Sequence, residues 1–186
     1  NALRFASDNP KSKVLCSLSS KDKLEWYKAA IKDLSLKNIE VNHLDFSSIN
    51  GSLGEFDYII CSGVFSWVKP EDQIKLLDAI KASLAPQGIA HINYNTLPGW
   101  NIAGTFRDMV KYHAEIFPDE NQKIFQARAM MEFVLEALDG DNSPYSRFLK
   151  DEAMMLRSTD DGNLWKEYLS DGNAHYYFND FMLVAR

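Results

Sequence analysis

The sequence predicts an α/β fold built on parallel strands and followed by a helical region. Residues 58–61 (YIIC) are almost wholly apolar, which is typical of a strand covered on both faces. A helix then begins near Pro70, with acidic residues in its first turn and apolar residues at helical spacing up to Leu84. A break at residues 86–88 (PQG) leads into a second strand at residues 89–92 (IAHI). A strand, a crossover helix and a strand of this length form a βαβ unit, whose strands are almost always parallel.

Two further strands are predicted before this unit. Residues 2–7 are typical of the end of a helix, and residues 13–17 form a short strand. A helix capped by residues 19–22 (SSKD) runs to about Leu36, and residues 39–44 form another strand. The predicted order is therefore α-β-α-β-β-α-β. The loop at residues 45–55 is long for a compact domain, and such loops are often functional.

After Trp100 the pattern becomes helical. Helices are predicted at residues 104–116, 121–138, 143–156 and 164–169, and an aromatic tail at residues 176–184 is expected to pack on another element. Arg107, on the first of these helices, could reach a carboxylate, but it is interpreted by default as a helix-surface residue. We therefore predict a core at residues 1–100 and a helical lid or linker at residues 101–186.

Composition limits the classes of function. The chain has 186 residues, a hydrophobic fraction of 46% and a net charge of −6, which supports a real core and argues against nucleic-acid binding. No apolar run is long enough to span a membrane, and no signal peptide is visible. Cys16 and Cys61 fall in predicted strands as reduced thiols, which favours a cytoplasmic protein. The four histidines show no metal-ligand spacing, so no metal is expected.

Several segments resemble one family of enzymes. They are residues 56–73 (FDYIICSGVFSWVKPEDQ), 84–100 (LAPQGIAHINYNTLPGW), 106–114 (FRDMVKYHA) and 168–181 (YLSDGNAHYYFNDF). Together they resemble class I S-adenosylmethionine-dependent methyltransferases that carry a C-terminal methyltransferase regulatory domain. The resemblance implies a Rossmann-like three-layer sandwich whose first strand and glycine-rich loop precede Asn1. It also implies that the helical region leads toward the regulatory domain. Some members are bacterial protein-lysine methyltransferases, which makes a protein substrate the expected partner.

The resemblance implies that S-adenosylmethionine lies across the carboxyl ends of the strands. The implied cofactor contacts follow three strands: Ser17 and Leu18, then Asp45 and Phe46, then Ser62, Gly63 and Val64. Asp45 would accept from the adenine amino group, and Phe46 would pack on the ring. The first position is a departure, because Ser17 or Leu18 stands where the family has an acid for the ribose, and a neutral Ser cannot bind a diol as a carboxylate does. Asp45 is otherwise a turn residue or a helix cap, and Gly63 could equally be an ordinary loop glycine.

Asn93, Tyr94 and Asn95 follow the last predicted strand and are the candidate catalytic residues. An amide or phenol oxygen there could orient an acceptor amine and help it lose a proton before it attacks the sulfonium methyl. This displacement depends mainly on alignment and desolvation. Ser66 and Trp67 either line the methyl-transfer channel or pack in the core, and packing is slightly favoured.

Two other functions stay open at this stage. A methyltransferase fold without activity could serve as a binding module, as the neutral end of the Ser17 strand and the unseen glycine-rich loop suggest. A Rossmann-type dehydrogenase is the weaker alternative, because the visible sequence carries no nicotinamide fingerprint.

Overall fold

The chain divides into two compact units. The computed structural model describes residues 2–18, 21–43, 49 and 53–186. The first unit comprises Asn1–Ile60 and Glu71–His91, and the second comprises Cys61–Pro70 and Ile92–Arg186. The second unit therefore combines the loop after one strand with the helical region. The division of the sequence into a core and a lid near residue 100 stays a prediction.

Helices and strands alternate through the first half of the chain. The elements are α1 (Ala2–Asp8), β1 (Val14–Ser17), α2 (Lys21–Asp33), β2 (Ile39–Asn42), β3 (Phe56–Cys61), α3 (Pro70–Ser83) and β4 (Leu84–Ile92). Strands β1 and β2 are parallel, with Val14 opposite Ile39 and Ser17 opposite Asn42. The predicted order α-β-α-β-β-α-β is confirmed because helical and strand periodicities are properties of the local sequence.

Strands β3 and β4 form a second two-stranded sheet. Gly88 lies beside Phe56, because a Cβ atom built on Gly88 would be 2.8 Å from the Phe56 carbonyl oxygen. Five residues further along both strands, the Asn93 amide donates to the Cys61 carbonyl at 3.2 Å. The two strands therefore run in the same direction, as predicted for a βαβ unit. Their carboxyl ends lie at the same edge.

Two details of this unit differ from the sequence prediction. Strand β4 begins at Leu84, directly after α3, so residues 86–88 lie in the strand and do not break it. Strand β3 is not covered on both faces by described residues, because Tyr58 is 67% exposed and Ile60 is 62% exposed. An apolar run alone does not reveal which neighbouring elements are present to cover each face.

The second unit is mainly helical. Its elements are β5 (Asn95–Thr96), α4 (Trp100–Glu115), α5 (Glu120–Ala137), α6 (Pro144–Arg157), α7 (Asp161–Leu164), β6 (His175–Tyr176) and α8 (Phe178–Val184). A 3₁₀ turn at Phe65–Trp67 and a π-helical turn at Trp165–Leu169 complete it. Asp119 caps α5 by accepting from the amides of Asn121 and Gln122. Ser143 caps α6 by accepting from the Ser146 amide, with Pro144 in the first turn.

The core of the second unit lies among α4, α5, α6 and the π-helical turn. Its buried members are Phe106, Val110, Ala114, Ala127, Met131, Val134, Leu149, Ala153, Leu156, Leu164, Tyr168 and Leu169. They recur at three- and four-residue intervals along each helix, which places them on one face. Among the described residues, no helix is long and apolar enough to cross a lipid bilayer.

The aromatic tail packs against the loops that follow β3 and β4. Strand β6 pairs in parallel with β5, with Asn95 opposite His175. In α8, the ring of Phe181 stacks on Tyr94 at 4.2 Å and meets Phe65 edge-on at 5.3 Å. The prediction that this tail packs on another element is confirmed. Aromatic pairs of this geometry add to the stabilisation from burial.

Candidate functional site

The side chain of Asn93 joins the loops that follow β3 and β4. Its Oδ1 accepts from the Gly63 amide at 2.7 Å, and its Nδ2 donates to Ser62 Oγ at 3.2 Å. These three residues were predicted as site residues from two separate segments, and the structure brings them together. The side-chain amide of Asn93 therefore fixes the conformation of residues 62–63. These residues lie at the carboxyl edge of the β3–β4 sheet, where open α/β folds bind ligands.

Gly63 has a backbone conformation that favours glycine. Its φ is +68°, in the left-handed region, where other residues are strained. The following residue, Val64, precedes the 3₁₀ turn, and its carbonyl accepts from the Trp67 amide at 2.9 Å. The left-handed turn at Gly63 directs its amide toward Asn93 and leaves its carbonyl for another donor.

Lys166 supplies that donor from the helical region. Its Nζ donates to the Gly63 carbonyl at 2.8 Å and lies 5.4 Å from the centre of the Trp67 ring. A cation at this distance from an indole ring is attracted by the electrons of the ring face. Sequence reasoning missed Lys166 because a lysine in a short helix is usually a surface residue, and the two partners are 103 positions apart.

Arg107 fixes the backbone that carries Lys166. Its side chain is buried, and its Nε and Nη2 donate to the carbonyls of Glu167 at 3.1 Å and Ser170 at 2.5 Å. Burial lowers the pKa of Arg107, and the negative charges of nearby Asp108 and Asp171 partly oppose this shift. The interpretation of Arg107 as a helix-surface residue is therefore wrong, because the π-helical turn covers its guanidinium.

Tyr94 and Asn95 are engaged by the tail. Tyr94 stacks on Phe181, and Asn95 donates from Nδ2 to Asn173 Oδ1 at 2.6 Å. The Asn95 amide also donates to the buried Ser66 Oγ at 2.8 Å. The contacts of these two candidates are thus structural ones, whereas Asn93 remains exposed at the loop. Their predicted roles in acceptor binding stay predictions.

Ser17 and Leu18 belong to the first unit, at the ends of β1 and β2. Ser17 is exposed at the last position of β1. Leu18 donates from its amide to the Asn42 carbonyl at 2.9 Å, and its own carbonyl lies 2.8 Å from His43 Nδ1. The predicted cofactor contacts at Asp45 and Phe46 lie outside the described residues. Within the described ranges, no group of three His, Cys, Asp or Glu residues is placed to bind a metal ion.

Comparison with known proteins identifies relatives along the whole chain. A family described as "Methyltransferase domain" matches residues 1–88. The uncharacterised protein RP028 of Rickettsia prowazekii is 39% identical over 186 residues, which is all of this chain and 74% of RP028. The uncharacterised protein RP789 of the same organism is 41% identical over 167 residues, which is 90% of this chain and 30% of RP789.

Solved structures show the same relationship. PKMT2 from Rickettsia typhi matches with a TM-score of 0.76 and 38% identity, over 98% of this chain and 34% of PKMT2. The structure of PKMT2 in complex with AdoHcy matches with a TM-score of 0.80 and 40% identity, over 100% of this chain and 36% of PKMT2. The chain thus spans about a third of PKMT2. The predicted fold class, α/β with parallel strands followed by a helical region, is confirmed. The chain contains a methyltransferase domain and belongs to the same family as RP028 of Rickettsia prowazekii.

Proposed function

We propose that the protein is an S-adenosylmethionine-dependent methyltransferase whose acceptor is an amine, with a protein lysine as the substrate group. One observation carries the proposal: the whole of this chain matches part of PKMT2, and the structure of PKMT2 was solved in complex with AdoHcy. AdoHcy is the product that remains when S-adenosylmethionine gives up its methyl group. The lysine acceptor is supported by the resemblance of residues 56–73 and 84–100 to a group that includes bacterial protein-lysine methyltransferases.

The loop geometry is compatible with a bound nucleoside. Gly63 has no side chain to obstruct a ligand, and among the described residues a Cβ atom built there would meet only Lys166 Nζ, at 3.7 Å. We propose that Ser62, Gly63 and Val64 contact the cofactor, with Asn93 holding this loop in place. Ser17, Leu18, Asp45 and Phe46 remain proposed contacts on the preceding strands.

Methyl transfer to an amine needs little general acid or base catalysis. The acceptor ammonium first loses a proton to water. The neutral amine nitrogen then attacks the methyl carbon, and the carbon–sulfur bond breaks with its electron pair passing to sulfur. Alignment of the amine with the carbon–sulfur bond and exclusion of solvent provide most of the acceleration. Carbonyl and amide oxygens at residues 62–63 and 93 can orient N–H groups of the amine, which is the role we propose for this edge.

A binding module without activity is the second candidate. Ser17 in place of an acid favours it, since a hydroxyl offers weaker contacts to ribose hydroxyls than a carboxylate does. The two candidates differ in whether AdoHcy binds and whether a methyl group is transferred.

Calorimetry with AdoHcy tests the cofactor proposal. We expect saturable binding to the protein and binding about thirtyfold weaker for Asn93→Leu, since two hydrogen bonds of about 1 kcal/mol each are lost. Asn101→Leu, at an exposed position in α4, is the matched control and should bind as the wild type does. No heat and no thermal shift at millimolar AdoHcy would contradict the proposal.

Transfer of labelled methyl groups tests the acceptor. Polylysine should become labelled when incubated with the protein and labelled S-adenosylmethionine, whereas polyarginine should not. Binding of AdoHcy without label on polylysine would favour the binding module over the amine methyltransferase.

A further inference from the structure

The Gly63 carbonyl and the Trp67 ring form a small site for an ammonium group. The carbonyl oxygen lies 2.8 Å from Lys166 Nζ, and the ring centre lies 5.4 Å from it. An oxygen acceptor combined with an aromatic face is a general arrangement for binding an alkylammonium ion. We call this pair of groups the ammonium subsite. It lies on the same loop that Asn93 holds.

Lys166, whose ammonium group occupies the subsite, is held in a defined position by its own backbone. Lys166 lies in the π-helical turn Trp165–Leu169, and its carbonyl accepts from Ser170 Oγ at 2.7 Å. Arg107 binds two carbonyls that follow Lys166 in the chain, those of Glu167 and Ser170. Turns of π type often occur at functional sites. The backbone is thus fixed, while the side chain reaches the subsite through four flexible methylene groups.

The attraction is strong enough to hold Lys166 in the subsite and weak enough for another ammonium group to displace it. Gly63 is exposed, and Trp67 is only partly buried, so water screens the charge. A cation–π contact at such a position is worth about two- to fivefold in affinity. An ammonium group brought by a bound protein would have the same chemistry as the group it replaces.

We propose that the ammonium subsite binds the side-chain ammonium of an acceptor lysine, and that Lys166 occupies it as an internal competitor. This inference rests on the proposed function and specifies where the acceptor amine binds. The Gly63 carbonyl can accept an N–H from the ammonium and continue to accept one after the amine loses its proton. Lys166 therefore lowers the affinity for acceptors that do not displace it.

The probe for the test is N-acetyl-lysine methylamide, observed by NMR through the indole N–H of Trp67. That resonance is assigned by its loss in Trp67→Phe. We expect Lys166→Met to bind the probe about fivefold more tightly than the wild type does, because the competitor is removed. Lys166→Arg retains a cation and should resemble the wild type. N-acetyl-norleucine methylamide, which has no ammonium, should not bind to any of these proteins.

Two results would overturn the inference. One is equal probe affinity in the wild type and in Lys166→Met. The other is retention of tight probe binding, measured by calorimetry, when Trp67→Leu is added to Lys166→Met. Calorimetry with AdoHcy on the same samples separates the two proposals: intact AdoHcy binding with no gain for the probe removes only the subsite. Probe binding without any AdoHcy binding removes only the methyltransferase.

Discussion

At the residue scale, Glu152 is a carboxylate of the second unit whose surroundings disfavour its charge. Its Oε2 is buried and has no hydrogen-bond partner among the described residues. Burial raises the pKa of Glu152, although a hydrogen bond from Tyr168 opposes this effect. The same burial and the charges of Glu152 and Glu167 raise the pKa of Tyr168 well above its ordinary value. The neutral form of Glu152 is therefore the form that the fold favours.

The sign of the pH dependence follows from this shift. A carboxyl group whose pKa is raised on folding costs nothing at low pH, where it is protonated in both states. Its cost appears as pH rises from the ordinary value through the raised one, since the folded state must then contain a buried charge. The contribution of Glu152 to the free energy of unfolding thus falls across this window.

Glu152→Gln should stabilise the protein at pH 7, by about 1 kcal/mol, because the amide carries no charge and its oxygen still accepts from Tyr168. The gain should disappear below about pH 4.5, where the wild-type group is protonated. Urea denaturation at a series of pH values measures both effects. Glu136→Gln, an exposed change on α5, is the control. A gain that stays constant from pH 4 to pH 8 would contradict the assignment.

At the element scale, helices α4, α5 and α6 pack through a mixture of small and large apolar residues. Phe106, Met131 and Leu156 are almost fully buried there, next to Ala127 and Ala153. Alanine at the closest positions lets the helices approach, and the larger side chains fill the space between them. Packing of this face supplies more stability than helix propensity does.

Leu156→Ala should lower the free energy of unfolding by about 2–5 kcal/mol, since it leaves a cavity in this core. Met155→Ala, one residue earlier on α6, should change it by no more than about 0.5 kcal/mol, because Met155 is 57% exposed. Denaturant titration of both variants provides the comparison. Similar losses for the two residues would mean that the assigned face of α6 is wrong.

At the scale of the whole molecule, the second unit joins segments that are far apart in sequence. The Ala174 amide donates to the Ser66 carbonyl at 2.7 Å, and the Asn95 amide donates to Ser66 Oγ. Gly172 passes so close to Trp67 that a Cβ atom would lie 2.5 Å from the Trp67 carbonyl oxygen. Residues 172–174, just before the aromatic tail, therefore support the loop that carries the candidate site.

Phe181→Ala should loosen this loop, because it removes the ring that stacks on Tyr94 and contacts Phe65. We expect a loss of about 2–4 kcal/mol in the free energy of unfolding. Hydrogen exchange at the amides of Asn95 and Ala174 should become faster. Phe178→Ala, in the same helix but 63% exposed, is the control and should leave both amides protected. Unchanged exchange in Phe181→Ala would show that the tail does not stabilise the loop.

Most of the fold could be predicted from the sequence, whereas only part of the site could. The strands, the crossover helix and the helix start at residue 143 follow from local spacing and composition, which need no knowledge of distant contacts. The first residues of the helices were harder to predict. Helix α4 begins at Trp100 and not at the predicted residue 104, because Gly104 is tolerated inside the helix. Asn93 and Gly63 were candidates, but their hydrogen bond could not be inferred from either segment alone.

By itself the sequence determined the order of elements, the class of fold and the resemblance to methyltransferases. The tertiary structure alone decided that Asn93 holds the Ser62–Gly63 loop and that Lys166 reaches the Gly63 carbonyl. It also decided that Arg107 is buried and that one face of β3 is exposed. The physical reason is that periodicity records how each residue is placed within its own element. Contacts between residues 30 to 103 positions apart depend on how those elements pack.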